Sequence, residues 1–189
     1  HDRLGLPAEA RVLLYVGRFT GVKRLPLLLR AYARMRSRLG PVAPLLVWGG
    51  HPGEWEGEHP YSVVTQGRID GVFFVGWRGH EDLRLGLGCA DVMVAPSVGE
   101  AFGAVYLEAM SAGLPVVATK TGGPPTFLNL EPHTPEGWLI PPDDEDALVE
   151  VLIEAVKCPR ERQARAEAAQ ALVRGGYSWQ AVAEKVADV

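Results

Sequence analysis

The sequence predicts an open, parallel α/β sheet of five or six strands with helices on both faces. Three observations carry that prediction. Val12-Leu-Leu-Tyr-Val16 is a continuous apolar run, the pattern of a strand buried on both faces. Similar short runs alternate with stretches of helical period along the chain. Ala90 to Gly123 reads as strand, glycine-bearing loop, helix and strand, one crossover unit of a parallel sheet.

Taken in order, residues 1 to 11 form a surface lead-in with a short helix around Pro7 to Arg11. The first strand, Val12 to Val16, empties into Gly17-Arg18-Phe19-Thr20-Gly21-Val22-Lys23. Leu25 to Leu39 has helical period, apolar at 25, 28, 29, 32, 35 and 39, with Pro26 in its first turn. Val42 to Trp48 is the second strand, and Pro44 within it marks an edge or a late start. Glu54 to Gly67 carries no clean period, and an irregular helix is placed at 60 to 67. Val72 to Val75 is the third strand, followed by Gly76-Trp77. A short helix covers Glu81 to Gly88, with His80 near its start.

Asp91 to Ala95 and Leu114 to Thr119 are the next strands. The helix between them shows an apolar face at Val105, Leu107 and Met110 and an acid, Glu108, in its middle. Thr121 to Thr126 is a turn-rich loop, and Phe127 to Pro135 reads as exposed and irregular. Trp138 to Ile140 is a last short strand. Asp143 to Asp146 reads as a solvated acidic cluster at a helix start, where acids meet the positive end; that helix runs to about Val156. A solvent-facing helix follows from Pro159 to Ala171. Gly175-Gly176 breaks it, and Tyr177 leads into a last amphipathic helix with Val182, Val186 and Val189, in which Trp179 is placed to pack against a partner domain. The architecture is Rossmann-like.

Composition narrows the function. The 189 residues are 47% hydrophobic and 22% charged, with a formal charge of -4. That length can bury a core as one domain, and that charge argues against a nucleic-acid binder. Cys89, read as core, and Cys158 are far apart with no CxxC or His-rich companion. Neither a disulfide framework nor a zinc site is expected, and a reducing, cytoplasmic compartment fits. No signal peptide and no bilayer-length apolar run is visible. A chain that opens on His1-Asp2-Arg3 is expected to be a fragment or an excised domain.

Ligands of parallel sheets bind at the carboxyl ends of strands. After the first strand, Gly17 and Gly21 allow close backbone approach, and a helix starting near Arg24 offers free amides. Arg18 can grip phosphate oxygens bidentately and Lys23 can act as a point charge; the plain alternative is two solvated cations. Glu100 and Glu108 flank the small-residue entry to the central helix. If that helix opens near Phe102 or Gly103, Glu108 lies roughly 7 to 9 Å along its axis at ~1.5 Å per residue. Ser97 either touches phosphate or caps a turn. Trp77 either stacks on a base or is a core aromatic. His51, His59, His80 and His133 have no nucleophile or carboxylate at motif spacing and read as surface or capping residues. The Val12 to Phe19 region lacks GxGxxG, which argues against a dehydrogenase.

These same residues resemble the carboxyl-terminal, donor-binding domain of the family-4 retaining glycosyltransferases, enzymes of two-domain GT-B architecture. Gly17-Arg18 with Lys23 is similar to that family's "GR…K" loop. Val75-Gly76-Trp77 resembles the segment beside the nucleobase, and Ala90-Asp91 through Pro96-Ser97 the "AADxxxxPS" strand. Glu100 and Glu108 match the paired-glutamate motif, and Gly113 to Val117 with Gly122-Gly123 the downstream block. One departure is Pro125-Thr126, where the family has a glutamate in "GGxPE".

The resemblance implies that Arg18 and Lys23 hold the diphosphate of a nucleotide-sugar. It puts Glu100 and the backbone of Ala101, Phe102 and Gly103 by the sugar and phosphates, and Glu108 on the ribose hydroxyls. With those cations present and no DxD in a convincing loop, no metal and no cofactor is expected; the resemblance implies transfer with retention and an amino-terminal, acceptor-binding domain elsewhere in the parent chain. Any peripheral membrane contact would come through that domain, and the isolated fragment is expected to transfer little. Two other readings stay open. One is another GT-B enzyme, such as a phosphorylase or nucleotide-sugar epimerase. The other is a non-catalytic α/β module whose cleft is an interface.

Overall fold

A computed structural model of the chain describes residues 10–50, 53–77, 79–128 and 135–177. Six parallel strands form one sheet in the order β3-β2-β1-β4-β5-β6. They are β1 (Leu13–Gly17), β2 (Leu45–Gly49), β3 (Val72–Gly76), β4 (Val92–Val94), β5 (Val116–Thr119) and β6 (Gly137–Ile140). The chain first winds outward to β3, then returns to place β4 on the other side of β1. Strand order therefore reverses between β1 and β4, where Leu13 pairs with Val92 and Leu14 with Met93. A crevice opens at such a reversal, because the two strands send their following loops to opposite faces. The Asp91 carboxylate accepts from the Val12 amide (2.8 Å), tying the starts of these two strands together.

Side chains alternate between two cores, which is why the strands read as unbroken apolar runs. Leu13, Tyr15, Val92, Val94 and Val117 face α1 (Leu25–Leu39), α2 (Pro60–Gly67) and α5 (Glu145–Lys157). Leu14, Met93, Val116 and Ala118 face α3 (His80–Gly88), α4 (Ala104–Ser111) and α6 (Pro159–Leu172). Pro44 is explained by a late start: β2 begins at Leu45 and lies inside the sheet, while the Pro44 carbonyl still accepts from Leu13 N at 2.9 Å.

Several expectations are corrected. The buried face of α4 is Tyr106, Ala109 and Met110, with Val105 and Leu107 only half-buried. Phe127 and Leu128 are fully buried rather than exposed, since the chain dips back under α4 before residues 129–134, which lie outside the description. The helix α6 is not solvent-facing throughout: Arg162, Ala166 and Ala169 are buried, and Arg162 donates to Ala155 O at 2.7 Å. Cys89 is exposed, at the end of α3, not in the core. The acids after Ile140 are engaged as well as exposed. Asp144 caps α5 by accepting from Ala147 N, while Asp143, Glu145 and Asp146 pair with Arg24, Arg30 and Arg34 of the facing segment. His59 caps α2 by accepting from Tyr61 N, as a capping histidine should. The expected helix at residues 7–11, His51, His133 and the segment 178–189 with Trp179 lie wholly or mainly outside the described residues.

Candidate functional site

The loop after β1 is held by its own strand. The Tyr15 hydroxyl donates to Arg18 O at 2.8 Å, and a Cβ on Gly17 would sit 3.0 Å from that hydroxyl. Gly17 is thus the residue that lets the loop turn over the phenol. Burial, with Tyr106 and Glu100 nearby, pushes the Tyr15 pKa well above the phenolic range, so it remains a neutral donor. Arg18 projects from this loop, exposed. Phe19 turns inward, and a 3-10 turn follows over Gly21–Lys23. Some of the amides near the helix start are already engaged. Lys23 N donates to Thr20 O (3.0 Å), Arg24 N to Gly21 O (3.4 Å), and Pro26 at the helix start has no amide hydrogen. The amides of Lys23 and Arg24 are thus used within the turn, and Lys23 and Arg18 add side-chain cations to the loop.

The loop after β4 is fixed from three sides. Tyr106 donates its hydroxyl to Ala95 O (2.6 Å), Thr119 on β5 donates to Ser97 O, and Val98 N reaches across the crevice to Val22 O (2.7 Å). Burial raises the Tyr106 pKa far out of the physiological range, so that hydroxyl also keeps its proton. Ser97 is only 2% exposed; its buried hydroxyl lies beside that of Tyr106, whose pKa it pulls down against burial, but makes no hydrogen bond of good geometry among the described residues.

Beyond Ser97 the loop carries Glu100, whose carboxylate pairs with Lys23 Nζ. Both side chains are largely withdrawn from water, 16% and 18% exposed. The backbone of Glu100 is gripped by the double glycine. Gly123 N donates to Glu100 O (2.7 Å), and a Cβ on Gly122 would come within 2.2 Å of that same oxygen. Thr126, in place of the glutamate that the resemblance leads one to expect, closes its own turn by donating to Gly123 O at 2.6 Å.

Gly103, at φ 91, caps α4 and is buried against the Tyr106 ring, while Ala101 and Phe102 before it are exposed. Five residues at ~1.5 Å each put Glu108 about 7.5 Å along the axis from this cap. Its side chain does not point at the sheet. It is exposed, and it lines a cleft of about 720 Å³ between α3 and α4 with Leu83, Arg84, Leu107, Arg174 and Tyr177. Trp77 is 67% exposed, which removes the core-aromatic alternative. It follows the edge strand β3, two strand spacings or about 10 Å sideways from β1.

The structure therefore brings Gly17, Lys23, Ser97, Glu100 and Gly103 together around the β1–β4 crevice. Arg18 and Phe102 stand exposed on its loops, Glu108 opens into the neighbouring cleft, and Trp77 lies apart. Sequence reasoning missed the two tyrosines that hold the loops. It also missed Trp55 and Glu56, which touch the β1 loop from a stretch with no periodic signal. Among the described residues no three His, Cys, Asp or Glu side chains gather as a metal site, and no helix is long and apolar enough to cross a membrane.

The sequence and the fold are matched by known proteins. The family described as "Glycosyl transferases group 1" covers residues 1–172. The chain belongs to that family. Glycosyltransferases are named among its curated relatives and solved neighbours. The D-inositol 3-phosphate glycosyltransferase of Saccharomonospora viridis is 33% identical over 193 residues, spanning 98% of this chain and 44% of the relative. Sucrose-phosphate synthase from Thermosynechococcus elongatus superposes with a TM-score of 0.84 at 31% identity, over 99% of this chain and 46% of that one. HepE of Anabaena, crystallised with UDP and glucose, gives 0.81 at 25% identity, over 100% of this chain and 50% of its own. The solved neighbours are GT-B glycosyltransferases, and the chain spans about half the length of the proteins it matches.

Proposed function

We propose that this chain is the donor-binding, carboxyl-terminal half of a retaining glycosyltransferase, and that it binds a nucleoside diphosphate sugar in the β1–β4 crevice. The observation that carries the reading is the meeting of Lys23 and Glu100 across that crevice, with Arg18 exposed beside them. In this reading Arg18 and Lys23 hold the diphosphate. Glu100 and the Ala101–Gly103 backbone face the sugar, and Glu108 accepts from the ribose hydroxyls within the α3–α4 cleft. Trp77 stands at the base end. A uridine nucleotide is favoured because HepE was crystallised with UDP.

In the transfer, the bond from the anomeric carbon to the β-phosphate oxygen breaks and its electron pair leaves with the diphosphate. The acceptor hydroxyl oxygen bonds to that carbon from the face the diphosphate leaves, which keeps the configuration, and its proton passes to the departing phosphate oxygen. Negative charge grows on the leaving group, and two fixed cations beside it stabilise that charge without a metal. The acceptor is proposed to sit on a second domain of the parent protein, so this chain alone binds nucleotide but transfers little.

Calorimetry with UDP, GDP, ADP and TDP, without added metal, tests the reading. Selective binding of one diphosphate, weakened by Arg18→Ala, is the expected result. Flat titrations both here and with the full-length parent would leave a fold without donor binding.

A further inference from the structure

Building on that function, we infer that Glu56 is a positioning residue: it anchors the turn that carries Lys23 and so sets where the cation meets the donor's diphosphate. The turn is short. Three residues, Gly21–Lys23, have little helical stability of their own, so their orientation depends on what holds them from outside. Its middle is held from the β4 side, where Val98 N donates to Val22 O at 2.7 Å. Its start is held from the β2–α2 loop. Trp55 forms a parallel bridge with Phe19, Glu56 N donates to Phe19 O (2.9 Å), and the Glu56 carboxylate accepts from Gly21 N (2.9 Å).

The approach of the two loops is built into the backbone. Gly49 (φ 132) and Gly50 (φ 75) lead out of β2, and a Cβ on either would lie 2.0 Å from Gly17 O or 2.3 Å from the Phe19 ring. No other residue type lets β2's exit lie this close to the β1 loop. The carboxylate on Gly21 N is a charge-assisted bond to the first amide of the turn. It restrains the direction of the turn and also occupies that amide. The Gly21 amide is therefore taken, and the turn's charge for an anion is the Lys23 ammonium, which Glu100 holds from across the crevice.

The test compares the wild-type chain with Glu56→Ala and Glu56→Gln in two measurements. Without ligand, amide hydrogen exchange at Gly21–Lys23 should quicken about tenfold in Glu56→Ala and much less in Glu56→Gln, which keeps an acceptor oxygen. With ligand, Glu56→Ala should weaken UDP binding about five- to tenfold while leaving uridine, which has no diphosphate, unchanged. Glu56→Gln should recover most of that loss. Unchanged exchange across the turn overturns the inference, as does equal weakening of UDP and uridine. Tighter UDP binding by Glu56→Ala also overturns it, making Glu56 a competitor for the amide. If the wild-type chain binds no UDP, the proposed function fails, while the exchange measurement still decides the role of Glu56.

Discussion

Lys23 and Glu100, 77 positions apart, close an ion pair across the point where the strand order reverses. Each comes from the loop after its strand, and each loop is pinned by backbone bonds before the side chain begins. The pair is withdrawn from solvent, so screening weakens it less than a surface pair. A double-mutant cycle of Lys23→Met and Glu100→Gln in urea unfolding should give a coupling of about 1–2 kcal/mol. Additive effects would mean that the pair adds nothing to stability. In the proposed site, Lys23→Ala should also weaken UDP tenfold or more and leave uridine unaffected.

Glu108 provides a chemically separate check. Its carboxylate is exposed in the α3–α4 cleft, where ribose hydroxyls are proposed to lie. The wild-type chain should prefer UDP over 2′-deoxy-UDP by about tenfold, near 1.4 kcal/mol. Glu108→Ala should erase that preference, bringing the two ligands to one affinity. A preference that survives the substitution would move the ribose elsewhere.

Gly122 and Gly123 should not tolerate a side chain. A Cβ on either would lie 2.2 Å from a backbone oxygen, that of Glu100 or of Phe102, and backbone has no flexible end to swing away. Gly122→Ala adds the strain of a φ of 69°. Each alanine variant should lose about 1–3 kcal/mol in thermal or urea unfolding. Nucleotide binding should fall with it, since the displaced loop carries Glu100.

Tyr32 predicts an alkaline limit. Its hydroxyl sits 2.8 Å from Ala43 O and 2.9 Å from Gly71 O, and burial pushes its pKa up to about 12 from an ordinary 10.0, against the pull of Arg36. The folded-state value is the higher one, so its stabilising effect is complete below pH 10 and is lost as pH rises toward 12. The loss is on the order of 2–3 kcal/mol. Urea unfolding of Tyr32→Phe should start lower by about 1 kcal/mol but fall less between pH 10 and 12. Parallel declines in both proteins would place the alkaline sensitivity in other groups.

Much of the fold was legible because buried parallel strands leave an unmistakable one-dimensional trace. The six strands and the helix over Leu25–Leu39 stand where the apolar runs and the helical period put them. Short helices were harder. On α4 almost every residue is small or apolar, so periodicity could not tell Val105 and Leu107 from the buried Tyr106 and Ala109. On α6 the polar composition concealed Arg162, which is buried because its head reaches the open carbonyl of Ala155 at the end of α5.

By itself the sequence determined the parallel sheet and its order of elements and put forward the candidate residues for an anion, because chain-local pattern is enough to specify elements. It also placed glycines at Gly17, Gly103 and Gly122-Gly123, where the backbone needed room. Only the tertiary structure decided which of those residues meet. The reversal of strand order sets Lys23 against Glu100, turns Glu108 outward into a cleft and leaves Trp77 at the sheet's far edge. It also brought Glu56, from a stretch without pattern, onto Gly21 N. Contacts between loops depend on where strands end in space, and no local period in the chain encodes that.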